Sequence, residues 1–201
     1  MMTVLACPVC GGALTLGASA AVCANAHSFD RSRNGYFNLL LAKQSAEPGD
    51  SAAMLQSRRA FLHAGFYNQM STATNAAVVQ IVAPRSHAHV ADIGCGEGFF
   101  TARLKRALDE AKPAAPPVVY GVAISRPGVK MATSLDRGIH WAVASLHHSP
   151  FLPHSLDVVL SMFAPIDAAD VHRVVRQVGA LVTVTPGPDH LDALRAIIYS
   201  S

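Results

Sequence analysis

The sequence predicts an α/β protein: a parallel sheet with helices on both faces, preceded by a small metal-held ribbon. Three observations carry this. β-rich runs alternate with helical patterns from about residue 85 onward, which is the signature of βαβ units. A glycine-rich segment sits where the first of those strands turns into a helix. The first 40 residues instead carry paired cysteines and glycines, with no stretch long enough to form a helix with its own core.

The elements follow in order. Glu47-Pro-Gly-Asp-Ser51 is a turn, and Asp50 or Ser51 caps a helix running to about Ala64, ended by Gly65. A second helix spans Asn68 to about Val82 and stops before Pro84. Val90–Ile93 is a strand, Phe99–Leu108 a helix, and Val118–Ser125 a strand after a Pro-rich link. Pro127–Leu135 reads as a helix, and His140–Ala144 and Leu156–Phe163 as strands. Asp167–Gln177 reads as a helix with Gly179 just past its end, Ala180–Thr185 as a strand, and His190–Tyr199 as a further helix.

Composition narrows the class. In 201 residues, 51% are apolar and 14% charged, enough to bury a core and too apolar for disorder. Mean hydropathy is high at +0.29. Yet no 18-residue apolar run lacks a Gly, Pro, His or charge, so no spanning helix is expected. No secretory signal is read at the N-terminus. The net charge of +3 permits an RNA or phosphate partner without demanding one. Four cysteines without an export signal point to metal or free thiols rather than disulfides.

Cys7-Pro-Val-Cys10-Gly-Gly and Cys23-Ala-Asn-Ala-His27 form the first chemical constellation. Two ligands spaced by two residues in a glycine-ended turn, with a second pair from a facing hairpin, complete a tetrahedron for zinc. Four protein ligands leave no open position, so the expected role is structural. The second constellation is Val90-Ala-Asp92-Ile-Gly94-Cys-Gly96-Glu97-Gly98. A dinucleotide site needs a glycine where Phe99 stands. The D-x-G-x-G-x-G spacing suits a ligand with no pyrophosphate, whose amino-acid portion meets the loop: S-adenosylmethionine. Asp92 could receive its cationic amino group. Thr185-Pro-Gly-Pro-Asp-His190 lies at a strand end on the same rim, so His190 could close over the ligand, the other reading being a solvated loop residue. Ala144-Ser145 ends another strand, where a planar base could be flanked. Arg31, Arg33, Arg58 and Arg59 are candidate phosphate contacts, read with equal weight as solvated surface.

Together these segments resemble the 23S rRNA (guanine-N1-)methyltransferase family, the RlmA-type enzymes and their macrolide-resistance relatives. The resemblance is carried by the two cysteine pairs, by Gly35-Tyr-Phe-Asn-Leu-Leu40, by Pro48-Gly-Asp-Ser51 with Arg58-Arg-Ala-Phe-Leu62, by Ala64-Gly-Phe-Tyr67, by the glycine loop and by Thr185-Pro-Gly-Pro-x-His190-Leu191. It implies a Rossmann-like class I methyltransferase sheet behind a zinc ribbon, with cofactor contacts at Tyr67, Gly96, Glu97 and His190 and zinc on Cys7, Cys10, Cys23 and His27. Residues 1–45 would be the RNA-binding ribbon, 46–84 a helical linker and cofactor lid, and 85–201 the methyltransferase domain. The methyl would go to N1 of a guanine in a 23S rRNA hairpin loop, in the cytoplasm. No base for the N1 proton can be named.

Two departures from the family stand out. Its pattern Gly-φ-Asp-φ-Ser, with φ apolar, reads Gly121-Val-Ala123-Ile-Ser125 here, without the carboxylate that accepts from the cofactor ribose. The loss predicts about 10- to 150-fold weaker cofactor binding unless Ser125 or a water substitutes. The chain also stops short of the family's last two strands, which leaves Ala180–Thr185 as a bare apolar edge. A homodimer is one arrangement that would cover it. Besides the enzyme, two readings remain: a non-catalytic RNA- or ribosome-binding module, and a methyltransferase acting on another substrate.

Overall fold

Short β-runs at the N-terminus pair into a four-stranded antiparallel sheet. Its strands are β1 (Met2–Ala6), β2 (Ala13–Leu16), β3 (Ala20–Cys23) and β4 (Ser28–Asp30), in that spatial order. The computed structural model describes residues 2–41, 50–113 and 115–199. Most of the turn expected over Glu47–Ser51, and the domain boundary at 45/46, lie outside the described residues.

The remaining strands build one parallel sheet. They are β5 (Phe37–Asn38), β6 (His89–Ile93), β7 (Val118–Ala123), β8 (His140–Val143), β9 (Leu156–Met162) and β10 (Val175–Val184), in the order β10-β9-β6-β7-β8-β5. Every neighbouring pair is parallel. β9 is buried along its whole length and β6 and β7 along nearly all of theirs, as expected for strands covered on both faces. The chain runs outward from β6 through β7 to β8, then crosses back to β9 and β10. The order therefore reverses at β6, and the crevice outside the carboxyl ends of β6 and β9 is where such folds bind ligands.

The first two helices, α1 (Ala52–His63) and α2 (Asn68–Val82), match expectation. Ser51 caps α1, its Oγ accepting from the Met54 amide at 3.3 Å. α3 (Phe99–Glu110) and α4 (Arg126–Ala132) follow the strands they were read to follow. α5 (Ala168–Val174) is a correction. Asp167 caps it as its type suggests, but the helix ends at Val174, not Gln177. Val175–Val184 instead joins β9 as β10, with a register irregularity between Val175 and Ala180. Gly179 lies inside that strand, where a side chain would strike Val175 Cγ1 at 2.6 Å. A short α6 (Asp192–Ile198) closes the described chain.

Alternation along each strand sends its side chains into two cores. Val90, Val119, Val143, Val158 and Leu160 pack with Val78, Leu104 and Val129 of α2, α3 and α4. Ala91, Ile93, Tyr120, Val122 and Val159 pack on the other face with Leu5, Leu14 and Leu39 and with Val174 of α5. The ribbon is thus seated on the sheet. Leu5 bridges to Phe151, the Ala6 amide donates to the Pro150 carbonyl at 2.8 Å, and Thr3 Oγ1 donates to the Tyr120 hydroxyl at 3.2 Å. Among the described residues no helix is long and apolar enough to cross a membrane. β10 borders the sheet, and Val178 on it is 77% exposed.

Candidate functional site

Two chain reversals build the metal site. Cys7 leaves β1 and Cys10 sits in the turn to β2, where the Cys7 amide donates to Gly12 and the Gly11 amide to Cys7. Cys23 ends β3 and His27 precedes β4, with the Cys23 amide donating to the His27 carbonyl. Their four ligand atoms lie within 4.8 Å of one another. Tetrahedral zinc with its usual bond lengths separates two sulfurs by about 3.8 Å, and sulfur from nitrogen by about 3.6 Å. Cys10 Sγ and Cys23 Sγ are 3.7 Å apart, and His27 Nδ1 stands 3.6 Å from Cys7 Sγ and 3.4 Å from Cys23 Sγ. The donor set and its spacing fit zinc. The Gly12 amide and the His27 ring hold the Cys10 thiol down at about 6, which favours the thiolate that binds metal.

The glycine loop leaves the carboxyl end of β6. Gly94 takes φ +93°, and a Cβ there would lie 2.2 Å from Ala164 Cβ, so the loop runs directly against the end of β9. Its amide and that of Cys95 donate to the Val122 carbonyl at 2.8 and 3.0 Å. Gly98 caps α3 in the left-handed region, between Ala132 and the Trp141 ring. Cys95 is buried, and burial pushes its thiol well above the usual range, so it is a packing residue.

Asp92 is 1% exposed. Its Oδ2 accepts from Thr101 Oγ1 at 2.5 Å, while Oδ1 is buried without a hydrogen-bond partner. Burial pushes the carboxyl up to about 7, the Thr101 bond opposing and Glu97 adding. An orphaned buried carboxylate oxygen beside glycines that admit no side chain fits the amino-acid end of S-adenosylmethionine. Glu97 is also buried, and its carboxyl is raised by burial against the opposing pull of its own backbone amide and Arg58.

Tyr67 and His190, more than a hundred residues apart in sequence, meet through Phe163. The Tyr67 ring packs edge-on against Phe163 at 5.7 Å between centroids, and His190 stacks on Phe163 at 6.4 Å. Phe163 follows β9 at φ +55° and its amide donates to the Val184 carbonyl. Sequence reading placed it only as a strand end. Its signal was a bulky residue just past a strand that faces the glycine loop.

Of the arginines, Arg58 turns to the loop. It donates to Asp50 Oδ2 at 2.5 Å and stands 4.0 Å from Glu97 Oε2. Arg31 is held within the ribbon by the Gly35 carbonyl and the Phe37 ring. Ala144 and Ser145, past β8, line a cavity of about 320 Å³ with Cys7, Val9 and Leu39 of the ribbon segment and with His148. A larger cavity of about 980 Å³ lies away from the loop between α5 and β10, lined by Ile166, Val171, Val178 and Leu181.

The parallel sheet with its loop at the switch point, behind a metal-binding ribbon, defines a Rossmann-like methyltransferase with a zinc-ribbon domain. Residues 5–45 match the RlmA N-terminal zinc-ribbon family, and residues 91–183 match a methyltransferase domain family. A Bacillus subtilis (strain 168) relative, provisionally named a 23S rRNA (guanine-N(1)-)-methyltransferase, YxjB, is 31% identical over 96% of this chain and 68% of its own. One from Micromonospora griseorubida, with the same provisional enzyme name, is 32% identical over 93% of this chain and 67% of its own. The 23S rRNA (guanine(748)-N(1))-methyltransferase of Streptomyces fradiae is 29% identical over 94% of this chain and 66% of its own. The chain belongs to the 23S rRNA (guanine-N1-)-methyltransferase family, and it spans about two thirds of the length of these relatives. The fold is shared with a chain of the complex between the Haloferax volcanii Trm112 methyltransferase activator and a methyltransferase. That match has TM-score 0.50 and 20% identity, and covers 67% of this chain and 59% of the other.

Proposed function

We propose that this chain transfers a methyl group from S-adenosylmethionine to N1 of a guanine in a hairpin loop of 23S rRNA. The observation that carries the reading is the buried Asp92 oxygen without a partner, at the end of β6 beside a loop in which Gly94 and Gly98 leave no room for a side chain. Bound there, the cofactor would supply an electrophilic sulfonium methyl and leave as S-adenosylhomocysteine, with the guanine N1 proton released. Asp92 receives its ammonium group, and the backbone at Gly94 and Gly96 accepts close approach. Tyr67 and His190, joined through Phe163, would wall the far side. Glu97 adds a contact at the start of α3. Positioning of the base in line with the transferred methyl contributes most of the rate, since no covalent intermediate is needed. A loop guanine can be splayed out so that its Watson–Crick edge, where N1 lies, faces the cofactor.

On this reading the segment 1–45 carries a zinc-held ribbon that grips rRNA and lends Phe37–Asn38 to the sheet as β5, the segment 46–84 carries α1 as a lid and α2 as a helix packed on the sheet core, and residues 85–201 supply the rest of the methyltransferase domain, acting in the cytoplasm. Zinc is structural, with Cys7, Cys10, Cys23 and His27 occupying all four positions. A second reading, a non-catalytic RNA-binding module, is favoured by Ala123, a buried alanine at the end of β7.

The test is transfer of labelled methyl from S-adenosylmethionine to 23S rRNA, followed by digestion to nucleosides. Label in 1-methylguanosine, lost in Asp92→Ala and in Tyr67→Ala, is the expected result. Cofactor binding without label in any nucleoside overturns the catalytic reading in favour of the binding module. Label in a different nucleoside overturns the assignment to guanine N1.

A further inference from the structure

In folds that bind a ribose at the switch point, an acidic side chain at the end of the strand after the glycine loop accepts from the sugar hydroxyls. Here that strand is β7, and it ends Val122-Ala123-Ile124-Ser125 with no carboxylate. The structure brings the main chain of an acidic residue, Asp50, to that end. Ser125 Oγ caps α4, accepting from the Gly128 amide at 3.2 Å, and donates to the main-chain oxygen of Asp50 at 2.9 Å. One hydroxyl thus ties Asp50, two residues before α1, to the carboxyl end of β7.

The side chain of Asp50 is held from α1. Arg58 Nη1 donates to its Oδ2 at 2.5 Å. The same nitrogen lies 3.6 Å from where a Cβ on Gly96 would be, and 4.0 Å from Glu97 Oε2. The Gly96 carbonyl in turn lies 2.9 Å from where a Cβ on Gly128 would be. Asp50, Arg58, Gly96 and Ser125 therefore share one patch over the ends of β6 and β7. The Asp50 side chain is 28% exposed, so it is reachable, whereas that of Glu97 is 5% exposed. Among the described residues the Arg58 bond is made to Oδ2, and Asp50 Oδ1 accepts none.

We propose that Asp50 supplies the carboxylate that accepts from the ribose hydroxyls of S-adenosylmethionine, in the place that Ala123 leaves without an acceptor, and that Arg58 is its positioning residue. This rests on the cofactor reading above. A vicinal diol offers two O–H donors, and an ionised carboxylate accepts both. The linkage also couples α1 to ligand binding, because the acceptor and the guanidinium that aims it belong to the segment covering the loop.

The experiment is calorimetric titration of zinc-loaded protein with S-adenosylhomocysteine and with its 2′,3′-dideoxy analogue. The unaltered chain is compared with Asp50→Asn, Ala123→Asp and the double variant. The unaltered chain should bind the dideoxy analogue about 10- to 150-fold more weakly than the parent compound. Asp50→Asn should lose a similar factor for S-adenosylhomocysteine and little for the analogue, and Ala123→Asp should restore binding in the double variant. Equal affinity of the unaltered chain for the two compounds overturns the proposal without needing any variant to fold. So does an Asp50→Asn protein that binds normally, or that loses both ligands alike. Absence of binding to the unaltered chain overturns the cofactor reading, and this one with it. Binding that ignores the ribose overturns only the role of Asp50.

Discussion

Asp92 is a carboxyl the fold holds in an unfavourable place, and replacing it by asparagine should show how unfavourable. Its ordinary value of 3.8 is raised by burial to about 7 in the folded chain. Below pH 3.8 both folded and unfolded states carry the proton. Between the two values the unfolded chain has released it and the folded chain holds it, so stability declines as pH rises. Above pH 7 the whole penalty, about 4 kcal/mol, is present. Asparagine does not titrate and keeps an acceptor for Thr101 Oγ1, although its amide group then lacks a partner, at a cost of about 1–3 kcal/mol. The clean observable is therefore a difference. Urea unfolding at pH 5 and pH 8 should show the stability of Asp92→Asn rising relative to the parent by about 2–3 kcal/mol across that interval. Zinc loss at lower pH affects both proteins and cancels. Parallel curves for the two would refute the reasoning, because they would mean that Asp92 ionises as freely in the folded chain as in the unfolded one. Titration of S-adenosylmethionine at pH 6 in buffers of different ionisation enthalpy should show proton release, since an ammonium beside Asp92 favours its ionised form.

Three further perturbations test the packing around the site. Gly121→Ala places a methyl about where the Trp141 ring stands, 2.2 Å away, so the sheet should lose about 1–3 kcal/mol in urea unfolding, with a changed emission from the protein's single tryptophan. Cys23→Ser should abolish stoichiometric zinc, measured by mass spectrometry of the metal, and lower the melting temperature of the whole chain, because Cys23 and Leu14 belong to the core beneath β7. Arg173 donates to Asp170 Oδ1 and to the carbonyls of Ser149 and Phe151, and Asp170 is buried, so Arg173→Ala should destabilise by about 2–4 kcal/mol, read from the urea midpoint.

Local rules made much of this chain legible. Cys7, Cys10, Cys23 and His27 declare themselves by spacing because a metal demands ligands at short range on either side of a turn. Ser51 and Asp167 cap helices because a side-chain oxygen can satisfy amides two or three residues on, whatever the rest of the fold does. The glycines at 94 and 96 were readable as a loop that admits a ligand. That Gly94 also excludes any side chain because Ala164 stands opposite was not readable, since Ala164 is brought there by β9.

The sequence by itself therefore determined the α/β class, the metal ligands, the glycine loop and the departure at Ala123. These depend on residue type at fixed short separations, where backbone geometry dictates what can meet. Tertiary structure decided the rest. Val175–Gln177 have a helical pattern, but pairing with β9 recruits them into β10, since ladder bonds and burial outweigh a few tenths of a kcal/mol of helix preference per residue. Phe37–Asn38 are too short to read as a strand and become one only because β8 offers a parallel edge. The ribbon became a wall of the second core because β1 bridges to Phe151. Phe163 joins Tyr67 to His190, and Ser125 draws Asp50 to the end of β7, across separations at which sequence carries no periodic signal and only the closed packing of the sheet brings the atoms together.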